Sequence, residues 1–278
     1  MSTSTTQNSD HDLPEDRSLA SSPFKIHELG YSGVEERIYT ATNPEVIRWS
    51  ELFNQRWKQR MIFESFFARC PELCHARAVV VGTQWHRFSE MVPGLLCKAA
   101  SMVSTNRKRH YVIQATFEEL GMRKEEEIHA DLFWQAAQLA TVTATDLERL
   151  SVDNGVTQAL QGLSDAVSSA PNDAQVMGLL LGLEAPAEEN IETVFSALAV
   201  DEELRRSMEA TLFFRFHRTI EQEHIRVTVA NFLRFCRTKG EQDEFVCGFD
   251  QGIQFWYDFW SAVGALYPAE RSASAHVR

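Results

Sequence analysis

The sequence predicts an all-α protein, and three observations carry that reading. Between residues 23 and 269 the apolar residues recur almost throughout at helical spacing. The 13 Gly and 8 Pro are few and mostly sit between the periodic segments. There is no run of alternating strand pattern and no internal repeat of solenoid length.

In chain order the periodicity predicts helices over 43–69, 77–104, 106–120, 126–141, 155–168, 174–184, 187–198, 201–238 and 243–266. Pro93 should kink or split the second, because proline removes a ladder donor. Gly121 is a natural stop after Phe117-Glu118-Glu119-Leu120. Asn172 and Asp173 offer an N-cap for the segment that runs to Glu184. Asp201 is placed to start the long eighth helix and Gly240 to end it. The last helix carries Phe255-Trp256-Tyr257-Asp258-Phe259-Trp260, aromatic nearly all round, and should be deeply packed. Core packing is the first reading of Trp256 and Tyr257, with electron transfer a lesser one.

The chain has 278 residues, of which 44% are hydrophobic and 10% aromatic, enough for a bulky core. The expected organisation is a disordered tail over 1–22, a single helical domain over 23–269 and a flexible tail over 270–278. A net charge of −12 argues against nucleic acid and anionic membrane as partners, since both need a basic face. The five cysteines form no CxxC pair, which fits free thiols in a reducing compartment. Cys70, Cys74 and His75 would make only half a zinc site, so buried helix cysteines are the better reading. The first 22 residues lack an apolar signal segment, and Val176–Leu183 is too short to span a bilayer, so a cytoplasmic location is expected.

The chemistry concentrates in Phe214-Arg215-Phe216-His217-Arg218-Thr219-Ile220-Glu221-Gln222-Glu223-His224. His217, Glu221 and His224 stand at i, i+4 and i+7 and share one stripe of a helix. Imidazoles and a carboxylate on one face, among Phe213, Phe214 and Phe216, suit a transition metal, because buried charges must be paired or ligated. The bland alternative is the polar face of an amphipathic helix. Two further features are available. Glu119 ends one predicted helix and His129 opens the next, with Glu126 competing as an E-x-x-H partner of His129. Glu184 is the first acid after the apolar run Gly178-Leu179-Leu180-Leu181-Gly182-Leu183. Glu119, His129, Glu184, His217, Glu221 and His224 together supply three imidazoles and three carboxylates, a set suited to two iron or manganese ions rather than zinc. A ferritin-like arrangement is the competing template: Glu126-x-x-His129 and Glu221-x-x-His224 with Glu64 and Glu184. It leaves His217 unused.

These residues resemble the haem-oxygenase-like di-iron oxidases and oxygenases, over roughly 40–266 of the chain. The family pattern is a Glu in an E-E-L-G turn, a His about ten residues on, a Glu closing an apolar helix, and then H-x3-D-x2-H. Glu119, His129, Glu184, His217 and His224 match it position by position, and Glu221 stands where the family usually has Asp. The resemblance implies a haem-oxygenase-like helical bundle of about seven core helices. It implies two iron ions, O2 as co-substrate, no haem, and a small-molecule substrate. An external electron donor, a reductase or biosynthetic partner enzyme, and a homodimer are further expectations.

Members of this family oxygenate amino groups, cleave amino acids or decarboxylate fatty acids. N-oxygenation of an amino-acid- or amine-derived metabolite in natural-product biosynthesis is the expected activity. Glu90 in Trp85-His86-Arg87-Phe88-Ser89-Glu90 is a candidate extra ligand of the N-oxygenating kind, against a surface pairing with Arg87; Glu64 is a weaker candidate. C–C cleavage at the same site is the alternative. A metal-free thiaminase-like hydrolase or binding module, with Cys97 or Cys236 as nucleophile, is a third. Arg215, Arg218 and Arg226 flank the metal helix and read first as exposed arginines, though a substrate carboxylate could use one.

Overall fold

Asn43 caps the first helix: its Oδ1 accepts from the backbone N–H of Glu45 and Val46 at 2.9 and 3.3 Å, and Pro44 takes the first helical position. The computed structural model describes residues 43–267 apart from 69, 71–73, 123 and 153; for 219–224 and 227 it describes the backbone alone. Both expected tails therefore lie outside the described residues.

Among the described residues there is no strand. The α-helices are α1 Pro44–Lys58, α2 Phe63–Phe66, α3 His75–Met102, α4 Asn106–Glu119, α5 His129–Leu139, α6 Ala144–Leu150, α7 Gly155–Ser169, α8 Asp173–Glu184, α9 Ala187–Leu198, α10 Glu202–Ala210, α11 Leu212–Phe235 and α12 Lys239–Ala265. A single 3-10 turn, Glu125–Glu127, leads into α5. No described helix is long and apolar enough to cross a membrane.

Several expected boundaries move, each for a local reason. The first expected helix divides after Lys58, and the turn carries Met61, Phe66 and Phe67 into the core. There Phe66 meets Tyr257 at 5.6 Å and Phe67 meets Trp260 at 5.7 Å, ring centre to ring centre. Pro93 does not split α3, which runs unbroken through it. Trp85, Phe88, Leu95 and Leu96 are buried on the turns either side, and that packing outweighs one lost ladder bond. Helix α6 was not expected; Thr143 and Asp146 close a reciprocal capping box at its start. The long helix expected over 201–238 breaks at Thr211, where ψ is 146° and the Thr211 hydroxyl donates to the Met208 carbonyl at 2.7 Å. Gly240 terminates nothing: α11 ends at Phe235, and a second capping box, Thr238 with Glu241, starts α12. Asn172 and Gly121 act as read: Asn172 accepts from the Gln175 N–H at the start of α8, and Gly121 leaves α4 at φ +74°; Asp201 caps a helix, but the short α10 rather than the one carrying His217.

The core is built on α8 against α12, the most extensive helix–helix packing among the described residues. Every residue of α8 from Ala174 to Leu183 is buried, because α8 is apolar on all sides. Gly178 and Gly182 face Gly248 and Gly252 of α12, so the two backbones touch. A Cβ at Gly178 would fall on the Phe245 carbonyl, and one at Gly248 on the Gln175 carbonyl. Helix α3 crosses this pair and also packs on α4, α5, α6, α7 and α9, while α11 closes the opposite side against α1, α5, α8, α9 and α10. At the α8 N-terminus Asp173 accepts from Ser104 N and Oγ at 2.9 and 2.6 Å and pairs with Lys108 at 2.8 Å. Burial pushes the Asp173 carboxyl up, but Lys108 and Ser104 outweigh it and hold the group below the usual carboxylate range.

Candidate metal centre

Between α3, α4, α8, α9 and α11 lies a cavity of about 150 Å³. Its walls are largely apolar, with Trp85, Phe88 and Leu96 from α3, Met177 and Leu180 from α8, and Trp256 from α12. Four of the six expected ligands line it: Glu119, His129, Glu184 and His217. The side chains of Glu221 and His224 lie outside the described residues; α11 is continuous through both positions.

Each described ligand reaches the cavity by a local cause. Glu119 is the last residue of α4, and the left-handed Gly121 and Met122 (φ +74° and +58°) turn the chain sharply after it. The 3-10 turn then brings the chain back, and His129 opens α5 directly opposite. The result is an ion-pair contact of 3.3 Å between His129 Nδ1 and Glu119 Oε2, with His129 buried and Glu119 about a quarter exposed. Glu184 is the last residue of α8 and half-buried. His217 stands on the second turn of α11. Its Nδ1 lies 2.9 Å from the Phe213 carbonyl. A carbonyl only accepts, so Nδ1 carries a proton in this contact. The two imidazoles sit edge to face at 4.8 Å, and Phe213 and Phe216 pack on them at 4.2 and 5.1 Å. A second, smaller cavity shares Glu118, His129, Phe213, Phe216 and His217 with the first, so the histidines form the wall between the two.

Among the described residues, no three His, Cys, Asp or Glu side chains are gathered closely enough to hold a metal ion. The donors nonetheless fit iron in kind: an imidazole with a ring nitrogen held by a backbone carbonyl, a second imidazole against a carboxylate, and a second carboxylate on the same cavity.

Other candidates are placed elsewhere. Glu126 is exposed on the 3-10 turn, off the helix that His129 begins, so the two do not form an E-x-x-H pair on one helical face. Glu64 is exposed on α2. The Glu90 side chain is 61% exposed and does not line the cavity, with His86 at 3.7 Å as its partner rather than Arg87. Arg87 instead donates to Gln84 and Thr157, both at 2.8 Å. Arg215 and Arg226 are exposed, and Arg218 pairs with Glu192 and Glu209 over the Phe195 ring. None of the three lines the cavity. Cys236 is buried, and burial, reinforced by Glu241, pushes its thiol up to about 11, which suits no nucleophile at neutral pH. Cys97 is exposed and lies off the cavity.

One carboxylate was overlooked. Glu118 is 8% exposed and lines both cavities. The signal was present: Tyr111, Ala115 and Glu118 follow at i, i+4 and i+7 and form the cavity face of α4. Asn190, fully buried near the start of α9, was also missed.

A family model described as an iron-containing redox enzyme matches residues 83–257. Among solved structures, a CADD-like protein of unknown function from Nostoc punctiforme aligns with a TM-score of 0.58 at 14% identity, over 80% of this chain and 95% of its own. A TenA homologue from Pseudomonas syringae pv. tomato aligns with a TM-score of 0.51 at 16% identity, over 85% and 94%. At these identities the likeness shows the fold alone. No curated protein matches the chain.

Proposed function

The chain belongs to the family of iron-containing redox enzymes, and from that premise we propose a non-haem, two-iron, O2-dependent oxygenase that N-oxygenates a small amine-bearing metabolite. The observation that carries this reading is the meeting of His217, its Nδ1 held on the Phe213 carbonyl, and the Glu119–His129 pair on one apolar cavity. Glu119, His129, Glu184 and His217 would hold the metal, joined by Glu221 and His224 from α11. Bound iron supplies the activation of O2, with reducing equivalents from an external donor.

The protein's own groups do the rest. The Phe213 carbonyl keeps the His217 proton on Nδ1 through the cycle. Trp85, Phe88, Leu96 and Leu180 exclude water and hold the apolar body of the substrate. Of the acids lining the cavity among the described residues, Glu118 is the one not assigned to iron, and its charge favours a cationic amine over an acid. An ammonium nitrogen must lose a proton before it can be oxygenated, and the buried Glu118 carboxylate is the group we assign to accept it.

The test is anaerobic Fe(II) titration followed by O2 exposure with a panel of amines, amino acids and fatty acids, read by mass spectrometry. Uptake of two irons and a product heavier than an amine by one oxygen atom supports the reading. Release of CO2 with a shortened product would point to oxidative C–C cleavage at the same residues. A protein that takes up no iron would overturn both.

A further inference from the structure

The stripe of α11 that carries His217 continues past the acid–histidine wall. Thr228 and Asn231 stand about three and about four turns further on, within about 40° of His217 round the helix, and both line the large cavity. Asn231 is 3% exposed and Thr228 half-buried. A helical Thr commonly returns its hydroxyl to a carbonyl one turn back, and a buried amide is nearly always paired. Neither happens here. Among the described residues the Thr228 hydroxyl and the Asn231 amide have no hydrogen-bond partner, and neither group is sealed off from contact. The gap behind Asn231, bounded by Lys108 and Asp173, is about 10 Å³, room for no more than a water. Anything larger can meet Asn231 only from the cavity.

Tyr111 stands beside this stretch of α11. Its ring lines the cavity from α4, its hydroxyl accepts from Arg234 Nη1 at 2.9 Å, and Phe235 packs on it at 5.8 Å. Arg234 is one turn past Asn231, so these contacts bring Tyr111 to the same end of the cavity. Tyr111 lies eight residues before Glu119, about 12 Å along the axis of α4. The cavity therefore holds a second polar region, more than one helical turn from the acid–histidine wall. Resting on the reading of this cavity as the substrate chamber of the iron site, we infer that Thr228 and Asn231 determine specificity by holding a neutral polar group, a hydroxyl or a carboxamide, at the end of the substrate away from the reacting nitrogen. Such a group donates as well as accepts, and so do the Thr228 hydroxyl and the Asn231 amide. A carboxylate only accepts, and among the described residues no Lys or Arg lines the cavity to meet its charge. An alkyl end would leave both protein groups unmet, and a site built to hydrogen-bond a hydroxyl rejects the analogue that lacks it.

The experiment uses three probes with one amine and one chain length: hexylamine, 6-amino-1-hexanol and 6-aminohexanoate. Affinities are measured by calorimetry on the full chain, with and without Fe(II), under anaerobic conditions. The alcohol should bind about fivefold or more tighter than either of the others in both states. Thr228→Val and Asn231→Leu keep the side-chain size and remove the polar groups. Each should bring the alcohol to within about twofold of hexylamine while hexylamine itself changes by no more than about twofold. Melting temperatures identify any variant that has lost its fold, in which case the other variant decides. Hexylamine or 6-aminohexanoate binding as tightly as the alcohol, a preference for the alcohol that survives in both variants, or equal losses for alcohol and hexylamine would overturn the assignment. Iron uptake on the same samples is a separate readout: iron without a preference for the alcohol sinks this inference alone, and that preference without iron sinks the two-iron reading alone.

Discussion

The α8–α12 pair and the α4–α5 junction treat the backbone in opposite ways. In the pair, two regular helices bring glycine against glycine until main chain meets main chain, and the Cα hydrogens of Gly178, Gly182, Gly248 and Gly252 are all that fits between them. In the junction, regular structure stops: Gly121 and Met122 take positive φ, three glutamates tighten into a 3-10 turn, and α5 starts without a side-chain cap. The pair gives the molecule a fixed frame. The junction gives it chemistry. Of the four described ligand candidates, Glu119, His129 and Glu184 are terminal residues of their helices, and His217 alone sits within one. A helix end can place a polar side chain in a cavity that helix middles wall with apolar ones.

The largest expected effects separate the two regions. His217→Ala and Glu119→Ala should abolish iron uptake and O2 consumption while shifting unfolding stability by no more than about 1 kcal/mol. Unfolding of either variant would erase the distinction between frame and site. Gly178→Ala should do the reverse, losing about 3 kcal/mol in urea denaturation, because its Cβ meets the Phe245 main chain, which cannot give way as a side chain would. A Gly178→Ala protein as stable as wild type would show that the helices can part. Gly162→Ala, with open space around the added Cβ and a helical position on α7, should raise stability by about 0.5–1 kcal/mol.

A smaller effect concerns pH. Burial lowers the His86 pKa, against the opposing pull of Glu90, the Ala130 backbone and Asp131, and its ring packs on Trp134 of α5 at 4.6 Å. The unfolded chain therefore binds the proton more readily than the folded one. Stability should be full above the unfolded value of about 6.5 and fall as pH drops below it, towards the lower folded value. His86→Phe should flatten that fall in melts between pH 7 and pH 5. The smallest expected effect is none: Glu126→Gln and Glu90→Gln should leave iron stoichiometry unchanged. Loss of an iron in Glu126→Gln would revive the E-x-x-H arrangement.

The helical class was legible because burial imposes a 3.6-residue period on nearly the whole chain, and the family match and structural neighbours agree with it. Helix ends were less legible. Thr211 and the Gln59–Ile62 turn break helices in the middle of acceptable periodicity, and Pro93 fails to break one, since tertiary packing overrides local preference at all three. In the site, the spacing of His217, Glu221 and His224 could be read directly, being local to one helix. The cavity role of Glu118 and Asn190 could not. Nor could the exposure of Glu90, for a lone acid in an apolar helix looks the same facing either way.

By itself, then, the sequence determined the all-α class, the apolar all-round character of α8, and a supply of imidazoles and carboxylates suited to iron. These depend on composition and on short-range period. Only the tertiary structure decided that Glu119 rather than Glu126 meets His129, and that Glu184 and the buried Glu118 share their cavity. Such choices depend on how turns and crossing helices bring together residues distant in the chain, and no local spacing encodes that.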